Sequence, residues 1–379
     1  MLAPHTALAG GSYLIQRHLD SGAMADVYLA TDTRRMVDVA VKVLRPDLAL
    51  DTYFEKFFRR EATVLQKLQH PNIVRYYDLV REKQMLFLVI EYVVGPTLQQ
   101  FLFRRKLLPM ADAFYIATAL ATALDFAHRH QIIHRDIKPS NVLLADNGKV
   151  MLNDFGVARV GGGGTTVTGL VGTIAYMAPE QVSGADVTAA ADQYALGIVL
   201  WELLTGQRPF VGATAGLRGT TVSERVTEEH LNHPPPTGVL RAELAYPLMR
   251  ALAKNPAQRF SNCSAMVQAM MPANGLMPTT PDQWIQEVQS YIPQPRSRAL
   301  HNPPHRFTKT APRVEAASVQ PRFPKTSILR LMLVASVVAI VVLYWLVFIV
   351  NPSAQLLVPI ANQVTTSSPE ALHPHAPTP

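Results

Sequence analysis

Two short runs of this chain carry side chains able to do chemistry. They are His134-Arg135-Asp136-Ile137-Lys138-Pro139-Ser140-Asn141 and Asn153-Asp154-Phe155-Gly156. Asp136 offers a carboxylate that can accept a proton from a hydroxyl. Asn141 and Asp154 offer hard oxygen ligands suited to holding Mg²⁺ against nucleotide phosphates. An acid on a loop is ordinarily just solvated, and a lysine at a strand end ordinarily just faces water. Here two acids and an amide follow Lys42, which ends the strand-like run Val39-Ala40-Val41. In that order they point to phosphoryl transfer.

The elements that must position these groups are legible in outline. Val27-Tyr28-Leu29-Ala30, Val37-Asp38-Val39-Ala40-Val41 and Leu86-Phe87-Leu88-Val89-Ile90 read as strands. Residues 51–68 have helical spacing, with Phe54, Phe57, Phe58, Val64, Leu65 and Leu68 to one side and His70-Pro71-Asn72 as the stop. Gly95-Pro96 breaks the chain. Beyond it the pattern is mainly helical: Ala117, Leu120, Ala121 and Leu124 form one stripe, and Leu196, Val199, Leu200 and Leu203 another, ended by Gly206. The expected fold is α+β and bilobal, with a strand-rich lobe over about 12–95 and a helical lobe over about 96–272. Residues 273–327 read as a Pro-rich basic linker, with a short helix expected from Pro281 to Tyr291 carrying Trp284.

Charge and hydropathy locate the chain. The net charge is +7, but residues 296–330 hold Arg296, Arg298, Arg306, Lys309, Arg313, Arg322, Lys325 and Arg330 against Glu315 alone. The rest is nearly neutral, which argues against a nucleic-acid partner. Residues 331–350 are 20 consecutive uncharged, mostly apolar residues, enough helix to span about 30 Å of hydrocarbon. A single-pass helix over 328–350 is therefore expected. The basic side faces the cytoplasm by the positive-inside rule, leaving 351–379 as a short extracytoplasmic tail. The one cysteine, Cys263, allows no internal disulfide.

From about residue 12 to 272 these motifs and their order resemble the eukaryotic-type (Hanks-type) protein kinases, in particular the bacterial membrane-anchored serine/threonine kinases. The resemblance implies ATP with Mg²⁺ (or Mn²⁺) as cofactors and proteins bearing Ser or Thr as substrates. Membership of that group is also compatible with a homodimer. It assigns Lys42 to the α- and β-phosphates with Glu61 as its ion partner, Asp136 as base, and Lys138 as the cation on the transferred phosphate. Asn141 and Asp154 become the metal ligands. Gly22, Val27, Ala40, Ile90, Glu91, Val93 and Leu143 would surround the nucleotide, with the backbone of 91–93 bonding adenine. Thr165, Thr166 and Thr168 are candidate phosphosites that Arg135 could bind. Thr173 would contact the catalytic loop, Glu180 would pair with Arg259, and Asp192 would brace the catalytic loop backbone.

The resemblance weakens at the nucleotide-covering loop, Asp20-Ser21-Gly22-Ala23-Met24-Ala25-Asp26-Val27. Three glycines are expected there and only Gly22 is present. Asp20 places a carboxylate near the phosphates and a β-carbon on the backbone, so weakened ATP binding is expected. The alternative reading is a weakly active pseudokinase serving as a nucleotide-dependent membrane scaffold. Lys42, Asp136, Asn141 and Asp154, all kept, speak against it.

Overall fold

A single antiparallel sheet carries the N-terminal lobe. Its strands are β1 (Ala7–Leu8), β2 (Tyr13–Ser21), β3 (Ala25–Asp32), β4 (Val37–Leu44), β5 (Tyr76–Glu82) and β6 (Met85–Glu91), in the order β1-β2-β3-β4-β6-β5. The computed structural model describes residues 1–49, 51–155, 174–213, 221–236, 238–271 and 281–292. The expected strands at 27–30, 37–41 and 86–90 lie within β3, β4 and β6. β2 and β5 escaped the pattern because Arg17, His18 and Asp20, and Asp78, Arg81 and Glu82, dilute their apolar character. Pairing with β3 and β6 holds them instead.

Both faces of this sheet are covered, so β4 reads as a nearly continuous apolar run. Val39, Val41 and Val43 pack on one face with Tyr13, Ile15, Tyr28, Phe87 and Val89. Ala40, Leu44, Leu88 and Ile90 pack on the other. The helix α1 (Thr52–Lys67) is capped by Asp51, whose carboxylate accepts from Tyr53 N. It buries Phe58, Ala62 and Leu65, and Glu61 falls between Phe58 and Leu65 on that inward side.

The C-terminal lobe contains α2 (Leu98–Arg104), α3 (Met110–Arg129), the hairpin β7 (Val142–Leu144) and β8 (Val150–Leu152), α4 (Pro179–Ser183), α5 (Ala189–Thr205), α6 (Val222–Asn232), α7 (Ala242–Ala251), α8 (Cys263–Gln268) and α9 (Pro281–Gln289). α5 is buried around nearly its whole circumference, from Ala191 to Leu203, and is the axle of the lobe. It ends where expected, at Gly206, whose φ of 74° suits glycine. α3 is long and apolar enough to cross a bilayer by composition, yet its Ala117, Leu120, Ala121 and Leu124 lie in the core of this lobe. The expected helix at 281–291 forms, and it packs against the lobe through buried Trp284 and Val288 rather than standing apart in a linker. The expected membrane helix at 328–350, the remaining linker and the tail lie outside the described residues.

Candidate active site

Lys42 sits within β4, paired across the sheet with Val27 and Leu88, with its ammonium on the α1 side. Its Nζ donates to Glu61 Oε1 at 2.8 Å and to Asp154 Oδ1 at 3.1 Å. Burial opposes the charge on Lys42, but Asp154 and Glu61 outweigh it and hold the lysine pKa far above its ordinary value. For Glu61 burial wins and raises the carboxyl, with Lys42 pulling it back. Asp154 is lowered despite its burial, because Lys42 both faces it and donates to it. One cation thus anchors two acids from different lobes, at a point where nucleotide phosphates and a metal would join them.

Asp136 is held asymmetrically. Its Oδ2 accepts from Lys138 Nζ at 2.8 Å and Asn141 Nδ2 at 3.1 Å, while Asn141 Nδ2 also donates to the Asp136 carbonyl at 2.7 Å. Oδ1 is buried and has no hydrogen-bond partner among the described residues. A buried carboxylate oxygen left open costs stability unless something is meant to donate to it. A substrate hydroxyl is such a donor.

The backbone under this carboxylate is strained and clamped. Arg135 and Asp154 adopt φ of 67° and 55°, unusual for residues other than glycine and dearer for Arg than for Asp. Asp192 of α5 supplies the clamp: Oδ1 accepts from Arg135 N at 2.7 Å, and Oδ2 from His134 N at 2.8 Å. His128 Nε2 lies 2.8 Å from the same Oδ2. His134 ties the two motifs together. Its Nδ1 accepts from Asp136 N, so Nε2 carries the proton and donates to Asn153 O at 3.0 Å. Burial lowers the His134 pKa, which keeps this tautomer neutral.

The nucleotide side is less enclosed. Val27, Val93 and Leu143 pack at the edge of the main core, next to buried Ala40 and Ile90. Glu91 turns its carboxylate toward Arg75 N at 3.2 Å, and its own N–H donates to Arg75 O at 2.8 Å. Asp20 departs from expectation in one respect. It lies in β2 opposite Val27 and has no positive φ, so its β-carbon carries no backbone penalty. Its Oδ1 accepts from Ser21 N at 2.8 Å. Gly22 closes the turn with a bond from its N–H to Ala25 O at 2.9 Å.

Glu180 and Arg259 form the expected pair, bidentate at 2.7 and 2.9 Å and almost fully buried. Arg259 also donates to Ala190 O and Ala253 O, so the charge is well compensated. Sequence reading missed Gln181, whose Nε2 donates to Arg135 O at 2.9 Å and couples α4 to the catalytic loop. It also missed Arg60. Burial and then the charge of Arg60 lower the Arg135 guanidinium pKa. Gly156, Thr165, Thr166, Thr168 and Thr173 lie outside the described residues.

The oxygens of Asn141 and Asp154 fit a hard divalent ion better than a soft one. Asp125, His128 and Cys263 also cluster, with ligand atoms within 4.8 Å of one another. Their bonds are structural: Asp125 accepts from Cys263 N and Ser264 N, His128 serves Asp192, and burial keeps the Cys263 thiol protonated.

The chain matches the protein kinase domain family over residues 13–271. It is 39% identical over 262 residues to the serine/threonine-protein kinase PrkC of Bacillus subtilis, covering 68% of this chain and 39% of PrkC. It is 38% identical over 255 residues to the serine/threonine-protein kinase PknB of Mycobacterium leprae, covering 65% of this chain and 40% of PknB. The chain therefore spans about two fifths of the length of these relatives. Among solved structures, the Mycobacterium tuberculosis PknI kinase domain aligns with a TM-score of 0.53 and 33% identity, covering 71% of this chain and 98% of that domain.

Proposed function

The chain belongs to the protein kinase domain family, and from that premise we propose that it is a membrane-anchored serine/threonine kinase using ATP. The observation that carries the reading is Asp136, with one oxygen held by Lys138 and Asn141 and the other open, beside the Lys42–Glu61–Asp154 cluster.

In this reading the open Oδ1 of Asp136 accepts the proton of an incoming Ser or Thr hydroxyl as its oxygen forms the bond to the γ-phosphorus. Asp136 needs little basicity, because the transition state is loose and positioning dominates. Lys138 is poised to follow the γ-phosphoryl oxygens as the bond to the β-phosphate oxygen breaks. Lys42, aimed by Glu61, binds the α- and β-phosphates. A divalent ion held by Asn141 and Asp154 would neutralise the phosphate charge when bound. Ile90 and the backbone of 91–93 receive adenine over Leu143. A phosphate on Thr165, Thr166 or Thr168 would be bound by Arg135, and Thr173 would steer the acceptor hydroxyl. Residues 331–350 span the bilayer, with the catalytic domain cytoplasmic and 351–379 outside.

The test is phosphate incorporation by the purified full chain with Mg-ATP, read by intact mass and peptide mapping, beside Asp136→Asn. The reading expects phosphate on Thr165, Thr166 or Thr168 of the parent, slowed about 10²- to 10⁴-fold in the variant. A folded parent that binds ATP yet gains no phosphate would turn the assignment to a nucleotide-dependent scaffold.

A further inference from the structure

α9 lies outside the family match at 13–271, yet it is bonded into the nucleotide side of the domain. Its Trp284 ring is buried against Phe101 of α2 and Tyr115 of α3, at centroid distances of 5.7 and 5.9 Å. Just beyond the helix, Tyr291 packs on Phe101 at 4.5 Å and lies beneath the Arg104 guanidinium. Glu287 pairs with Arg105.

Two further polar contacts of α9 reach the turn between β7 and β8. Trp284 Nε1 donates to Gly148 O at 2.8 Å, and Gln289 Nε2 donates to Asp146 O at 3.0 Å. Gly148 has φ of 81°, and a β-carbon there would sit 2.8 Å from Ile285 Cγ1 and 3.1 Å from Trp284 Cδ1. The helix therefore approaches the turn as closely as a glycine allows.

That turn is fastened in its other direction to the adenine-facing segment. Asp146 N donates to Val94 O at 2.8 Å, and Leu144 N donates to Pro96 O at 2.9 Å. At Gly95 a β-carbon would lie 1.8 Å from Leu144 O, so the two backbones are in direct contact. Leu143, the floor beneath adenine in the kinase reading, is part of the same hairpin and bridges to Thr97. The path runs from Trp284 Nε1 to Gly148 O, from Gly148 N to Ala145 O at 2.8 Å, across the Ala145–Asp146 peptide, and from Asp146 N to Val94 O.

We propose that Trp284 is a positioning residue for the nucleotide site, clasping the β7–β8 turn so that 91–97 and Leu143 are held in register for adenine. The proposal rests on the kinase reading above. It touches neither substrate nor metal, so its signature is nucleotide affinity rather than the transfer step. Buried Trp284 also stabilises the lobe, and the test must separate the two roles.

The experiment compares full-length parent, Trp284→Ala and Trp284→Phe. Phe keeps an aromatic ring but cannot donate to Gly148 O. The readouts are the Kd for fluorescently labelled ATP and hydrogen exchange of the nucleotide-free protein. The expectation is about three- to tenfold weaker ATP binding in Trp284→Ala, with a smaller loss in Trp284→Phe. Amides of 91–97 should exchange faster in both. If the variants are less stable but keep the parent Kd and parent exchange at 91–97, Trp284 is structural only and the proposal is overturned. Should Trp284→Ala fail to fold, an unchanged Kd and exchange in Trp284→Phe overturns it equally. A folded parent that binds no ATP overturns the kinase reading and this proposal together, and shows so before any variant is compared.

Discussion

Asp20 stands where the resemblance to the protein kinases leads one to expect a glycine, and the structure changes what its replacement should do. Because Asp20 occupies ordinary strand backbone, Asp20→Gly relieves no strain. What it removes is a carboxylate that the kinase reading sets near the phosphates. At surface-like screening a like charge a few ångströms away costs on the order of 1 kcal/mol. The KM for ATP should therefore fall about fivefold in Asp20→Gly with kcat little changed, and the gain should shrink in high salt. Steady-state kinetics across ATP concentration would check this, and an unchanged KM would place the Asp20 carboxylate outside the phosphates' field. The reactive residues themselves were legible because phosphoryl transfer demands unusual types in a fixed order. Gln181 was not, since a glutamine after Pro-Glu looks like an ordinary surface residue until the fold brings it onto the Arg135 carbonyl.

Elements hold those residues in place, and two of their contacts make measurable statements. Glu180 of α4 and Arg259 form a buried bidentate pair. Glu180→Gln leaves a guanidinium buried without its counter-charge and should cost about 3–5 kcal/mol of stability, read as a lower urea midpoint with the same slope. His230 of α6 reports on pH. Its ring is buried, 3.0 Å from Tyr194 Oη, and burial, then Lys254, push its pKa from 6.5 down to about 3. Below pH 6.5 the unfolded chain takes up a proton at this histidine that the folded chain refuses, so stability is lost as pH falls toward 3. The slope is about 1 kcal/mol per pH unit. His230→Gln should flatten that loss relative to the parent when urea midpoints are compared at pH 7.5 and 5. A parallel loss in both proteins would show that His230 does not govern the acid limb. At this scale α1 and α5 could be read from spacing alone. The β7–β8 hairpin could not, because three-residue strands give no usable period.

For the whole molecule, the sequence reading of residues 331–350 predicts that the full chain stays with membranes through high-salt and alkaline washes. A chain ending at residue 330 should be released by salt. Protease added to the outer face of sealed membranes should shorten the parent by the 351–379 tail alone, and digestion of the catalytic domain from that face would reverse the assigned orientation. The local sequence alone determined three things about this protein: its residue types suited to phosphoryl transfer, its two-lobed order of elements and its apolar C-terminal segment. Each depends on local spacing or on residue chemistry that no packing can change. Tertiary structure alone decided how those residues meet. Lys42 finds both Glu61 and Asp154 across lobes, Asp192 clamps a strained Arg135, and Trp284 closes on Gly148. These are contacts between residues far apart in the chain. Their partners are selected by burial, by the close approach that glycine permits and by the need to satisfy buried polar groups, none of which leaves a periodic trace in the sequence.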